Sequence, residues 1–191
     1  VTLGDSSLVD IGSLIHGASG VELAGVLTHA GESYECNSVQ EIRAYAEIER
    51  DMAVKSAAIL RQHGLPCPIV SVGSTPTANF AEDLAGVTEV RAGVFVFYDL
   101  VMAGLGVCDV SDIAISVLTS VIGYQKKKGW VITDSGWMAL SRDRGTARQK
   151  VDQGYGLVCD VKGGLLQDII VSSTNQEHGI IADRSGKEVD W

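Results

Sequence analysis

One segment constrains the fold of this chain more than any other. Ser38-Val39-Gln40-Glu41 opens it and Gly64 and Pro66 close it. Serine followed three residues later by glutamate is a capping-box signature, because each side chain satisfies a backbone N–H that the first helical turn leaves free. Apolar residues then recur at Ile42, Tyr45, Ala46, Met52, Ala53, Ala57, Ile59 and Leu60, the spacing of one helix face. Gly64 sits where a helix C-terminal glycine belongs, and Pro66 forbids continuation. The spacing predicts a helix over Val39 to Gln62. Ile69-Val70-Ser71-Val72 follows at once, an apolar run of the kind buried on both faces of a parallel sheet.

Other elements extend the alternation. Residues 5–17 have apolar positions at Leu8, Ile11, Leu14 and Ile15, with Asp5 or Ser6 as cap and Gly17 as stop. Val21 to Thr28 reads as a strand. Ser74 caps a short helix through Leu84, and Val87–Val90 and Val94–Phe97 read as strands. Strands alternating with helices imply a parallel sheet or barrel. From about Ser111 the texture changes. Ile113–Tyr124, Trp130–Thr133, Gly156–Val161, Leu166–Ser172 and Gly179–Ala182 are β-type, separated by glycine-rich turns. The expected fold is therefore α/β plus β. Residues 1–108 are expected to form part of an α/β domain and residues 109–191 an antiparallel β domain.

Composition narrows the function classes. Of 191 residues, 46% are apolar and 20% charged, so the chain has the apolar surface to fold. Its net charge is −9, and Lys126-Lys127-Lys128 is the one basic cluster, so a nucleic-acid partner is not expected. That triplet reads as a solvated hairpin tip. No apolar run reaches the roughly 18–20 residues that a bilayer span requires, so no membrane partner is expected either. Cys36, Cys67, Cys108 and Cys159 are scattered without metal or disulfide spacing, which points to reduced thiols and a cytoplasmic protein. No metal-ligating residue is assigned.

In parallel α/β architectures, ligand groups come from loops at the carboxyl ends of strands. Thr28-His29-Ala30-Gly31 follows one strand. Val72-Gly73-Ser74-Thr75-Pro76-Thr77 follows another and enters a helix, an arrangement of free N–H groups suited to phosphate, although Ser74-Thr75 also fits a plain helix cap. Glu89-Val90-Arg91-Ala92-Gly93-Val94 follows a third, where Glu89 is near enough to pair with Arg91. A histidine face, a phosphate cup and a strand-end arginine are the parts that hold a flat phosphorylated heterocycle.

These segments, with Asp134-Ser135-Gly136-Trp137-Met138-Ala139-Leu140-Ser141-Arg142-Asp143-Arg144-Gly145 and Asn175-Gln176-Glu177-His178-Gly179, resemble the D-serine dehydratase family. That family includes D-threo-3-hydroxyaspartate dehydratases and D-threonine aldolases. The resemblance runs in consistent order over nearly the whole chain. It implies a partial alanine-racemase-like (β/α)8 barrel followed by an antiparallel β domain, and a pyridoxal 5'-phosphate enzyme. Thr28-His29-Ala30 is similar to the racemases' Thr-His-x-Ala, whose histidine stacks on the cofactor ring. Arg91-Ala92-Gly93-Val94 is similar to their Arg-Pro-Gly-Ile, whose arginine faces the pyridine nitrogen and whose following N–H groups bind phosphate. The implied cofactor-binding set is His29, Tyr34, Ser74, Thr75, Arg91, Gly93 and Val94.

The resemblance further implies a lyase acting on small D-3-hydroxy amino acids, a homodimer, and zinc or another divalent metal. Alternatives on the same fold are an aldolase, a racemase or a non-catalytic fragment. The family's Schiff-base lysine lies on the first barrel strand, and its His-x-Cys metal motif near the C-terminus. Neither has a counterpart between Val1 and Trp191, so the expectation is a piece of an enzyme of about twice this length, inactive alone. His178 is a candidate acid or base, or a structural turn histidine. Trp137 and Met138 are expected in the β-domain core, and Arg142-Asp143-Arg144 in an ion-pair network at a domain or subunit interface. Asp134 with Asp143 as a catalytic carboxylate pair is the weakest alternative.

Overall fold

The computed structural model describes residues 6–189, so the suggested Asp5 cap lies outside the described residues. The chain divides into two compact units, one of residues up to Val96 with Leu105–Val107, the other of Phe97–Gly104 and the residues from Cys108 on.

In the first unit, α1 (Ser7–Gly17), β1 (Gly25–Leu27), α2 (Val39–Gln62), β2 (Ile69–Val72), α3 (Thr75–Phe80) and β3 (Glu89–Val90) follow in order. The three strands are parallel in the order β1-β2-β3, with Val26 beside Val70 and Ser71 beside Glu89. α2 spans the residues its periodicity predicts. Ser38 Oγ accepts from the Glu41 N–H at 3.3 Å, while the Glu41 carboxylate accepts from the Asn37 N–H at 2.7 Å, one residue before the cap. The cap is thus the expected one, with its return bond shifted outward. The stripe Ala53, Ala57 and Leu60 packs on Val70 and Val72 of β2, with Leu23, Leu65 and Cys67 closing the core. Removing a side chain such as Leu60 from this core costs about 2–5 kcal/mol.

Four expectations in this unit change, the first being Val87–Val90, where only Glu89–Val90 is strand. The first strand is paired only over Gly25–Leu27, because β2 offers partners only from Ile69 to Ser71. α3 ends at Phe80, since Ala81 is already extended. Val94–Val96 is a 3-10 turn, not a strand: the Val96 N–H bonds back to Gly93 O at 3.3 Å, which leads the Phe95 N–H to Thr75 Oγ1 at 3.2 Å.

The second unit carries a five-stranded antiparallel sheet in the order β4-β5-β8-β7-β6. The strands are β4 (Val121–Gln125), β5 (Trp130–Thr133), β6 (Leu157–Cys159), β7 (Leu165–Thr174) and β8 (Gly179–Asp183). Lys126–Lys128 forms the 3-10 tip between β4 and β5, closed by Gly129 at φ 65°, a conformation that favours glycine. Val131, Val171 and Ile181 form the core. The short helix α4 (Leu100–Leu105), which the pattern did not suggest, carries the fully buried Met102.

The run 113–120 is not strand; pairing begins at Val121. Ahead of it, the Asp134 N–H at the β5 end donates to Ser120 O at 3.2 Å, and its carboxylate accepts from the Ser120 N–H at 2.9 Å and Thr119 Oγ1 at 2.7 Å, so side-chain bonds reinforce a single backbone bond. Met138 is 65% exposed and is not core. Trp137 is half-buried and stacks against Arg142, 5.0 Å from its ring centroid. Arg144 pairs with Asp152, and Asp143 takes no part in an ion pair with its two arginine neighbours among the described residues.

Candidate functional site

The three loops at the carboxyl ends of β1, β2 and β3 meet. The His29 ring, exposed on the first loop, places Nδ1 at 3.0 Å from Gly73 O on the second, so the tautomer this geometry selects carries its proton on Nδ1. Tyr34 lies on the same loop, its ring centroid 6.0 Å from that of His29 at 31°. Arg91, just past β3, reaches back across the sheet. Its Nε donates to Ser71 Oγ at 2.8 Å and its Nη2 donates to Thr28 O, so one guanidinium ties all three strands together. Glu89 pairs with Arg91 at 4.0 Å, as expected, and also accepts from Ser71 Oγ.

Close approach of the second and third loops depends on Gly73. It has φ +132°, where side chains are strained, and a Cβ there would run into the Arg91 carbonyl. The Arg91 N–H donates to Val72 O at 2.8 Å, continuing the ladder to this contact.

Ser74 and Thr75 are almost fully buried and their hydroxyls are used internally. Ser74 Oγ caps α3 at the Thr77 N–H and touches Ser33 Oγ at 3.1 Å. Thr75 Oγ1 accepts the Phe95 N–H. The cap reading of Ser74 therefore describes its side chain. The backbone N–H groups of Thr75, Gly93 and Val94 have no acceptor among the described residues. A permanent guanidinium cation, an exposed imidazole face, a phenol and three free N–H groups fit a flat ring bearing a phosphate.

Two residues of this region were not singled out from the sequence. Ser33 is fully buried and donates to Ala30 O at 2.7 Å. Glu49 of α2 is buried beneath the loops and accepts from Thr28 Oγ1, the Gly73 N–H and Thr77 Oγ1. A signal for it existed, since Glu49 lies on the stripe of Ile42, Ala46 and Ala53, where an acid is out of place. Cys36 closes the first loop, and burial, reinforced by Glu41, pushes its thiol up, so it offers no thiolate.

His178 belongs to the second unit, in the β7–β8 turn. Its O accepts from the Asn175 N–H at 2.8 Å and its Nε2 lies 3.0 Å from Asn175 Nδ2, so the ring serves that turn. No lysine stands on the loops after β1, β2 or β3. Among the described residues no group of three or more His, Cys, Asp or Glu side chains is arranged to hold a metal, and no helix is long and apolar enough to cross a membrane.

A parallel β/α layer joined to an antiparallel β unit is the architecture of the alanine-racemase-like proteins, here as a partial barrel. The chain belongs to the alanine racemase N-terminal domain family, which matches residues 4–100, and residues 114–190 match the serine dehydratase domain family. It is 58% identical over 94% of its length to D-threo-3-hydroxyaspartate dehydratase from Delftia sp. (strain HT23), covering 47% of that protein. The solved structure of the Delftia enzyme superposes with a TM-score of 0.90 over 99% of this chain and 50% of that one, at 55% identity. A variant of it in a metal-free form superposes at 0.89, with 56% identity over 98% of this chain and 50% of that one. An alanine-racemase-like protein from Idiomarina loihiensis matches at 48% identity and a TM-score of 0.87, over 100% of this chain and 48% of that one. D-serine dehydratase from Dictyostelium discoideum is 30% identical over 72% of this chain and 36% of its own. The chain thus spans about half the length of the curated relatives it matches, or less.

Proposed function

We propose that this chain supplies the cofactor cradle of a pyridoxal 5'-phosphate-dependent lyase that dehydrates D-3-hydroxy amino acids, with D-threo-3-hydroxyaspartate or D-serine as substrate. The observation that carries the reading is the bridging of three strand-end loops by His29–Gly73 and Arg91–Thr28 around free N–H groups. The identity with the Delftia enzyme supports the reaction class. In this reading Arg91 faces the ring nitrogen. A guanidinium donates and never accepts, so that nitrogen stays unprotonated. His29 stacks on the ring, held by its bond to Gly73. The N–H groups of Thr75, Gly93 and Val94 hold the phosphate, and Tyr34 flanks the ring beside His29. When bound, the cofactor supplies an electron sink that acidifies the substrate Cα–H so that the β-hydroxyl can leave.

The resemblance supports zinc or another divalent metal in the longer enzyme, and no described residue of this chain is assigned to it. It supports a homodimer as well. The four free cysteines support a cytoplasmic setting. The reading is tested in two steps. Pyridoxal phosphate should raise the melting temperature of the chain, and Arg91→Ala should abolish most of that rise; equal rises in both proteins would remove Arg91 from the site. The longer protein containing this sequence should release ammonia and a 2-oxo acid from D-threo-3-hydroxyaspartate or D-serine, and release of glycine and an aldehyde from a D-3-hydroxy amino acid would indicate the aldolase.

A further inference from the structure

We propose that Glu49 is the positioning residue of this cradle, its buried carboxylate holding the loops after β1 and β2 in the register that presents His29. The proposal rests on the cofactor reading above. Glu49 is 7% exposed on the core-facing side of α2. One carboxylate oxygen accepts from Thr28 Oγ1 and from the Gly73 N–H, both at 3.0 Å, and the other accepts from Thr77 Oγ1 at 2.9 Å. All three donors come from the two loops and α3, none from α2 itself.

Two lines of contact leave this carboxylate. The first passes through Gly73, whose N–H Glu49 holds and whose O receives His29 Nδ1 at 3.0 Å. The second runs from Thr77 Oγ1 to Ser74 Oγ at 3.0 Å, then to Ser33 Oγ at 3.1 Å, and from Ser33 to Ala30 O. Both lines end on the loop that carries His29. No cation pairs with Glu49 among the described residues, so its charge rests on these three hydrogen bonds. A buried carboxylate without a cation is tolerated only while its donors stay in place, so displacing either loop carries a large penalty. Core packing makes no demand for an acid here, because the neighbouring stripe positions Ala46 and Ala53 are filled by alanine.

The test compares Glu49→Ala, Glu49→Gln and the control Ala57→Gly, which weakens α2 from within the core, away from the loops. Three quantities are measured on the chain: the urea midpoint, the His29 ring nitrogen resonances among its four histidines, and the dissociation constant for pyridoxal phosphate. Glu49→Ala removes all three bonds and should move the His29 resonances and weaken pyridoxal phosphate by about tenfold or more, an effect on the scale of one hydrogen bond to a charged group reaching the cradle. Glu49→Gln keeps one oxygen for Thr28 and Gly73 and should lose less than about threefold. Ala57→Gly should lower the urea midpoint and leave the other two readouts in place. Should Glu49→Ala fail to fold, Glu49→Asp withdraws the carboxylate by one methylene and is held to the same expectations. Unmoved His29 resonances in Glu49→Ala, or equal effects in Ala57→Gly, would reduce Glu49 to a structural residue. Failure of the wild-type chain to bind pyridoxal phosphate would overturn the cofactor reading instead, with the His29 resonances still deciding the role of Glu49.

Discussion

At the scale of single residues, Gly73 is where the fold and the candidate site meet. It gives its N–H to Glu49, receives His29 on its O and packs its Cα against Arg91. Any side chain there must adopt φ near +132° and displace the Arg91 backbone. Gly73→Ala should therefore cost about 2–4 kcal/mol, from a strained conformation plus a clash that only backbone movement relieves. Urea unfolding would show it as a lowered midpoint, and an unchanged midpoint would mean that the loops part easily. The sequence alone gave reason to notice Gly73, His29 and Arg91, because strand-end loops with these residue types are unusual. It did not disclose Glu49, because a glutamate on a long helix reads as a solvated residue until the apolar stripe through it is traced. Nor did it disclose that the Ser74 and Thr75 hydroxyls face inward, since cap and phosphate ligand use the same residue types.

At the scale of elements, legibility followed the physics of each one. α2 was readable to its ends because periodicity, cap and stop all agree within one segment. Its cap can be tested alone: Ser38→Ala removes the acceptor for the Glu41 N–H and should destabilise the first unit by about 1 kcal/mol, seen as a lower urea midpoint. Strand lengths were less readable, because a β-type run pairs only as far as its neighbour extends. The 113–120 run shows this: Leu118 is 89% exposed, and at its end one backbone bond from Asp134 to Ser120 is reinforced by the Asp134 carboxylate. The Ser120 N–H, then the Thr119 hydroxyl, hold the Asp134 carboxyl below the usual carboxylate range. A depressed folded-state value adds stability above the unfolded value, and that stability disappears as pH falls through the folded one. Asp134→Asn should thus lower the urea midpoint at neutral pH, and the gap to wild type should close in acid, once pH has fallen through the lowered Asp134 value. A gap that persisted in acid would show that the charge of Asp134 is not what holds residues 119 and 120.

At the scale of the whole molecule, the placement of lysines decides what kind of complex this chain can form. Lys55 projects from α2 and pairs with Asp51 at 3.6 Å. Lys126, Lys127 and Lys128 make a hairpin tip, with Lys128 4.3 Å above the Trp130 ring. Lys150 and Lys162 lie in turns and Lys187 beyond β8. The loops that carry His29, Gly73 and Arg91 contain none. A cradle built only of hydrogen-bond donors and ring faces recognises phosphate and heterocycle, and has no amine with which to engage an aldehyde. Pyridoxal phosphate and pyridoxine 5'-phosphate, which carries an alcohol in place of the aldehyde, should therefore raise the melting temperature of this chain equally. Inorganic phosphate should raise it less, because it offers His29 and Arg91 no ring. Borohydride treatment of the pyridoxal phosphate complex should leave no stoichiometric adduct on any lysine. A marked preference for the aldehyde, together with one modified lysine, would show that an amine reaches the cradle after all, and would make this chain self-sufficient in its cofactor chemistry.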